Sequence, residues 1–374
     1  MNKEMPMDSA REGSDEFWVC DPDGRKLEDE YLLGDVVGRG TFSTIYKCLR
    51  KGRTEWTCKV LDKKRMNRNS VKSVLPKLLK LKHPNIMRMK EVFETETSIQ
   101  LIVEYVSGPE IFEKIVEKGQ FSEQDAAQTV RDILKALKYL HGEGVVHGDI
   151  KPENLLYEND LEESKLKLDD FGLSQLSLDK DLMVNSLYGS GRYCAPEVLL
   201  GKEPGYPSDL WGLGVIMFIM LCGYEPFWDE DGEAATCENI IQGDLSALNW
   251  DDVSDSARDL VTKLLSVDPA NRPTADEALN HPWTLGISTS SVPRDNMIKG
   301  LREYNARRRF RVATRAVMAT RRAFQLLHES ERCGAAETGF SRTGECKEYS
   351  RWGTVDSGSE GRMTEQKSLS LTTR

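Results

Sequence analysis

From Tyr31 onward the chain breaks into short runs, 31–37, 43–49, 55–61 and 99–106, rich in β-branched or aromatic residues and separated by Gly, Arg and Lys. Runs of this length and composition, bounded by such turns, predict an antiparallel sheet. One helical pattern, Ser70 to Leu81, interrupts them. Beyond Gly108 the apolar period lengthens to that of a helix: Gln124 to His141 carries Ala127, Val130, Ile133, Leu134, Leu137 and Leu140 on one face, with Ser122 placed as N-cap. Further helices are expected over 208–222, 233–242, 254–265 and 274–279. The pattern predicts an α+β protein in two lobes, a small β-rich one followed by a larger α-rich one.

The flanks have a different texture. Residues 1–30 are polar and acidic and read as a loose lead-in, 285–296 as a linker, and 328–374, rich in Gly, Ser, Thr and Glu, as a disordered tail. Between linker and tail the charge reverses. Residues 291–325 hold ten Lys and Arg against two acids, a net of +8 inside a chain of net −10, so the remainder carries −18. On a 3.6-residue period Phe310, Ala313, Val317, Phe324 and Leu327 fall near one face, with seven arginines spread over the others, so 297–327 reads as a basic amphipathic helix. Such a segment suits an acidic partner with apolar grooves, a membrane surface, or plain solvent.

Composition narrows the classes further. An acidic body and few aromatics in the basic segment argue against direct nucleic-acid binding, although 307–311 could serve as a nuclear localisation patch. The longest apolar run, Leu210 to Tyr224, is broken by Gly212 and Gly214 and is too short to span a bilayer. The first fifteen residues lack an apolar core, so the expected setting is cytoplasmic or nuclear and reducing. Eight cysteines without a C-x-x-C pair are expected as free thiols.

Several short strings carry chemistry. After Val37 comes Gly38-Arg39-Gly40-Thr41-Phe42-Ser43-Thr44-Ile45, a glycine-rich turn between two expected strands whose backbone N–H groups could cover a polyphosphate, or which is simply a turn. Lys59, amid apolar neighbours on the next strand, is a phosphate-facing cation or a snorkelling surface lysine. The α-rich lobe adds His147-Gly148-Asp149-Ile150-Lys151-Pro152-Glu153-Asn154, then Asp170-Phe171-Gly172, Ala195-Pro196-Glu197, Asp209-Leu210-Trp211-Gly212 and Asn271-Arg272-Pro273. An acceptor-orienting carboxylate, two oxygen ligands for a divalent metal, a cation and a triphosphate cover are the parts that phosphoryl transfer needs.

In this order and spacing the strings resemble the eukaryotic protein kinase family. Ile115 to Gly119, Tyr139-Leu140-His141, Lys151 to Tyr157, Leu221 to Phe227 and Asn305 to Arg309 resemble the calcium/calmodulin-dependent protein kinases, those of type IV most of all. The resemblance implies a bilobal kinase domain over 31–284, with N-lobe 31–103, hinge 104–107 and C-lobe 108–284, followed by an autoinhibitory and calmodulin-binding segment over 297–327. It implies ATP held by the glycine-rich loop, Thr57, Lys59, Glu104, Val106 and Leu156 beyond the gatekeeper Val103, and Mg²⁺ held by Asn154 and Asp170. Asp149 and Lys151 would serve the transferring group. Glu110 and Glu153 would attract basic residues before the acceptor Ser or Thr of protein substrates. Arg307, Arg308, Phe310, Arg311, Val317 and Phe324 would meet calcium-loaded calmodulin, and Ser186 lies near the family's activation-loop phosphosite.

Departures from that pattern are as informative. The helix glutamate that should pair with Lys59 falls at Val74, and no acid lies between Asp62 and Glu91. Pro76 disturbs the same helix, Gly148 replaces the arginine of H-R-D, Gly191 stands where the substrate-docking segment has proline, and Pro109 replaces a glycine of G-G-E. These losses keep open the alternative of a nucleotide-binding pseudokinase scaffold.

Overall fold

A computed structural model describes residues 17–19, 24–40, 43–50, 55–178, 191–246, 248–311 and 313–314. The sheet of the first lobe is antiparallel, in the order β1-β2-β3-β5-β4, from β1 (Tyr31–Arg39), β2 (Ser43–Arg50), β3 (Glu55–Asp62), β4 (Met89–Glu94) and β5 (Ser98–Glu104). The strand β4 was not expected from the sequence. Only Met89 and Phe93 of its six residues are buried, so its outward polar positions hide the alternation. The register sets Ile45 opposite Lys59 and Lys59 opposite Leu101, and places Thr57 opposite Val103. Opposed residues, and residues two apart, share a face of a sheet, so Ile45, Thr57, Lys59, Leu101 and Val103 line one side. Cys48, Cys58, Ile102, Tyr31 and Phe93 form a separate buried cluster with Leu27.

The lead-in is tied down where it is described. Trp18 and Val19 donate backbone N–H bonds to the Glu94 carboxylate at 2.6 and 2.8 Å, and Leu27, in the one-turn helix α1 (Leu27–Glu30), is buried. This corrects the expectation of a loose segment for those residues. The helix α2 (Arg68–Leu78) begins two residues before the expected start, capped by Asn67 Oδ1 accepting from Ser70 N at 3.0 Å. It runs through Pro76, which removes one bond close to the helix end and opposite the exposed Lys72, where water can satisfy the freed carbonyl.

The second lobe is built on α3 (Ile111–Lys118), α4 (Glu123–Gly142), α5 (Pro196–Leu199), α6 (Tyr206–Cys222), α7 (Glu233–Gln242), α8 (Asp255–Leu264), α9 (Ala275–Leu279) and α10, over 295–311. Ser122 and Asp125 form a capping box at the start of α4, as the sequence predicts from Ser122. Residues 210–221 of α6 are buried on every side, which explains why the run has no polar face. The linker expected over 285–296 is bonded to the body, through Gln124 N to Ser290 O and Arg294 N to Phe121 O, both 3.1 Å. Among the described residues no helix is long and apolar enough to cross a membrane. The tail beyond 314 lies outside the described residues.

Glu197 and Arg272 make a buried two-pronged pair, both contacts 2.7 Å, with the guanidinium also bonded to Pro207 O and lying over the Trp211 ring. Removing one partner strands the other charge out of water. Arg272→Met should therefore cost about 3–5 kcal/mol of folding free energy in urea unfolding. A loss below about 1 kcal/mol, the range of exposed pairs, would show that the pair does not hold the lobe.

Candidate functional site

The cleft between the sheet and the second lobe collects residues from sequence-distant elements. Lys59 points from β3 into it with only 3% of its side chain exposed, and its Nζ lies 2.6 Å from Asp169 Oδ1 and 2.5 Å from Asp170 Oδ1. Burial by itself would push its proton off, but the two carboxylates outweigh that and hold its pKa above the ordinary lysine value. Asp170 is held below the usual carboxylate range, with burial opposing and Lys59 prevailing, so it is a ready oxygen donor for a cation. Its φ of +58° turns the chain sharply between Asp169 and Phe171.

The loop 147–154 supplies a third carboxylate. Asp149 Oδ2 is 2.5 Å from Lys151 Nζ and accepts from Asn154 Nδ2 at 3.0 Å, while Asn154 Nδ2 also bonds Asp149 O at 2.7 Å. The loop is bolted from beneath by buried Asp209, whose Oδ2 accepts from His147 N at 2.9 Å and pairs with His141 Nε2 at 2.8 Å, and whose Oδ1 accepts from Gly148 N at 2.8 Å. One side chain at the head of α6 thus fixes the backbone on which Asp149 stands. Asp169 N bonds Asn154 O at 2.9 Å and ties the loop to the Asp169-Asp170 turn.

The residues expected to face the nucleotide between 37 and 59 lie on β1, β2 and β3 and in the turn joining the first two. Gly38 pairs with Ile45 and Arg39 with Thr44 across the first hairpin, and Gly40 N bonds Ser43 O at 2.8 Å. Val37 is exposed, Thr57 is buried, and Thr41 and Phe42 lie outside the described residues. Glu104, ending β5, has its carboxylate occupied by Lys167 Nζ at 2.7 Å and Arg88 N at 3.1 Å, which leaves the hinge main chain, not this side chain, as the available edge. Val106 and Leu156 are half-buried alongside, and Leu156 bridges to Glu110.

At the outer mouth of the cleft α10 lies against the second lobe. Met297, Ile298, Leu301 and Tyr304 are buried, Tyr304 meets the Phe112 ring edge-to-face at 5.5 Å and its hydroxyl bonds that of Tyr193, and Asn305 Nδ2 donates to Phe112 O at 3.0 Å. Arg308, almost fully buried, bonds Glu110 and reaches Glu153 Oε1 at 3.1 Å. Arg311 pairs with Glu225 at 3.2 Å, Arg192 with the same carboxylate at 2.5 Å, Arg309 with Glu113, and Arg307 lies over the Trp228 ring. Phe310 is 74% exposed. Val317, Phe324 and Ser186 lie outside the described residues.

Asp169, Tyr304 and Glu225 are among the members of this arrangement that were not singled out from the sequence. The one local trace of Asp169 is the doubled aspartate of Leu168-Asp169-Asp170-Phe171-Gly172, and nothing in residue order pairs it with Lys59.

Residues 31–284 match the family described as Protein kinase domain. Calcium/calmodulin-dependent protein kinase type IV of Homo sapiens is 42% identical over 310 residues, 82% of this chain and 65% of its own length. Calcium/calmodulin-dependent protein kinase type 1 of Macrobrachium nipponense is 39% identical over 303 residues, 79% of this chain and 87% of its own. That of Caenorhabditis elegans is 39% identical over 288 residues, 75% of this chain and 80% of its own. The match therefore spans slightly less than two thirds of the human type IV protein.

Gly148 has φ +78°, and a Cβ built there would run into Ser174 Oγ. The arginine usual in H-R-D has no room at this position without rearrangement of Ser174. Gly148→Ala should cost about 1–3 kcal/mol in urea unfolding, from the left-handed backbone and the contact together. Adding Ser174→Gly should return part of it. Equal stability of Gly148→Ala and the unmodified protein would show that the backbone here is relaxed.

Proposed function

This chain belongs to the protein kinase family, among the calcium/calmodulin-dependent kinases, and on that premise we propose that it transfers the γ-phosphate of ATP to Ser or Thr of protein substrates under calmodulin control. The observation that carries the reading is the convergence of Lys59, Asp149, Asn154 and Asp170, with Arg308 bound to Glu153 next to Asn154. A buried lysine flanked by carboxylates, with an amide oxygen and Asp170 beside it, suits a triphosphate carrying Mg²⁺. Bound there, the metal neutralises charge on the phosphates. Asn154 and Asp170 would hold it, Lys59 would hold phosphate oxygens, and the glycine-rich loop would cover them. Asp149 would accept the hydroxyl proton of the acceptor, with Lys151 offsetting negative charge on the transferring group.

The regulatory half of the proposal rests on Arg308. Its guanidinium sits between Glu110 and Glu153, and those two carboxylates hold its proton more tightly still although burial opposes them. A substrate with arginine before its acceptor would use the same two carboxylates, so α10 competes with it. Calcium-loaded calmodulin would take 297–327 through Phe310, Val317 and Phe324 with the arginines around them, and so clear the mouth. We place the catalytic domain at 31–284, the regulatory segment at 297–327 and the protein in cytoplasm or nucleus. The missing helix glutamate and H-R-D arginine favour a second reading, a nucleotide-binding scaffold without transfer.

One assay separates the two. With Mg-ATP and an arginine-containing Ser/Thr peptide, the full chain should incorporate radiolabel, more so with calcium-loaded calmodulin, and Asp149→Asn should lower the rate by roughly 10²-fold or more. Equal incorporation by both would assign the activity to a contaminant and leave the scaffold reading.

Arg308→Ala leaves Glu110 and Glu153 without their partner and weakens the docked helix. Activity without calmodulin should rise roughly three- to tenfold, corresponding to about 1 kcal/mol of lost docking, with little change in the calmodulin-saturated rate. An unchanged calmodulin-free rate would remove Arg308 from the control of the cleft.

A further inference from the structure

We propose that Asp169 is the positioning residue that takes over from the absent helix glutamate, its carboxylate aiming Lys59 at the nucleotide phosphates. The proposal deepens the kinase reading and rests on its nucleotide half. A buried ammonium needs a counter-charge that stays in place when substrate arrives. Asp170 cannot be that group, because metal would engage the carboxylate that now lies 2.5 Å from Lys59. Asp169 is free of that demand and is 2.6 Å away.

Its own placement is rigid. Asp169 follows directly on the strand 166–168, its N–H bonds Asn154 O at 2.9 Å, and its Oδ1 also accepts from Asp170 N at 2.8 Å. The helix α2, by contrast, offers Lys59 no acid: its charged residues are Arg68, Lys72 and Lys77. It is docked by Val71, Leu75 and Leu78, with half-buried Val74 among them, and by main-chain bonds from the residues before it: Asn67 N to Leu176 O at 2.7 Å and Leu178 N to Arg65 O at 2.9 Å. Gly172, φ +69°, lets this helix close in, since a Cβ there would meet Leu78 at 3.0 Å. The aim of Lys59 is thereby uncoupled from the position of α2 and placed on the same turn that carries the metal ligand.

A double-mutant cycle on the full chain with calcium-loaded calmodulin tests this. Mg-ATP is titrated calorimetrically into the unmodified protein, Asp169→Asn, Lys59→Met and the double variant, and melting without nucleotide is recorded for all four. Asp169→Asn should weaken Mg-ATP roughly tenfold, the loss expected when one well-placed charge is misaimed. It should also raise KM for ATP and lower kcat, while in the Lys59→Met background it should cost less than roughly threefold. Where Lys59→Met binds too weakly to titrate, melting carries the cycle, and the double variant should melt no lower than the worse single one. Unchanged affinity in Asp169→Asn, or additive losses in both backgrounds, overturns the proposal. If Asp169→Asn fails to fold alone but folds with Lys59→Met, the coupling stands; if neither folds, Asp169 is structural and the proposal fails. An unmodified protein that binds Mg-ATP without transferring phosphate removes the catalytic reading alone, and one that does not bind it removes the nucleotide reading on which this proposal stands.

Discussion

A cation sunk in the cleft is the constraint around which the rest of this protein is arranged. Lys59 emerges from the middle of a five-stranded sheet with 3% of its side chain exposed, where an unmatched ammonium would cost several kcal/mol. The fold answers with two adjacent carboxylates on one turn. That choice fixes the strained backbone at Asp170, the bond from Asp169 N to Asn154 O, and through Asn154 the geometry of Asp149. The cleft is set by interactions within the protein itself, and the order of the turn does not depend on an acid from α2.

The second lobe serves that arrangement by immobilising backbone. Asp209 spends both carboxylate oxygens on the loop 147–154 and on His141, and Glu197 with Arg272 joins α5 to the segment before α9. Neither carboxylate faces the cleft chemistry. Their effect reaches it because charge-assisted bonds in a dry interior resist displacement of the groups they hold.

The basic segment uses two faces for two purposes. Met297, Ile298, Leu301 and Tyr304 bury apolar area against the lobe, and Arg308, Arg309 and Arg311 meet acids around the cleft mouth. Phe310 stays exposed on the same helix. A partner that prefers the released helix can shift the balance only by its preference for that state, so it must outweigh both the buried apolar contacts and the ion pair of Arg308.

Much of this was legible from residue order. Short β-branched runs and a 3.6-residue pattern indicated the two lobes, and Ser122 placed the start of α4 within a residue, because capping is a local bond between neighbours. The strings around Asp149, Asn154 and Asp170 were readable because phosphoryl chemistry restricts residue type. The absence of a glutamate at Val74 was readable too. What stands in its place was not: Asp169 is 110 residues from Lys59 in the chain, and only the tertiary fold brings the two within 2.6 Å. Likewise the sequence by itself determined that the segment near 308 is basic and helical, since charge and periodicity are local. Tertiary structure alone decided that Arg308, rather than its neighbours, enters the space between Glu110 and Glu153, because that depends on which face of the helix the buried Leu301 and Tyr304 turn toward the lobe.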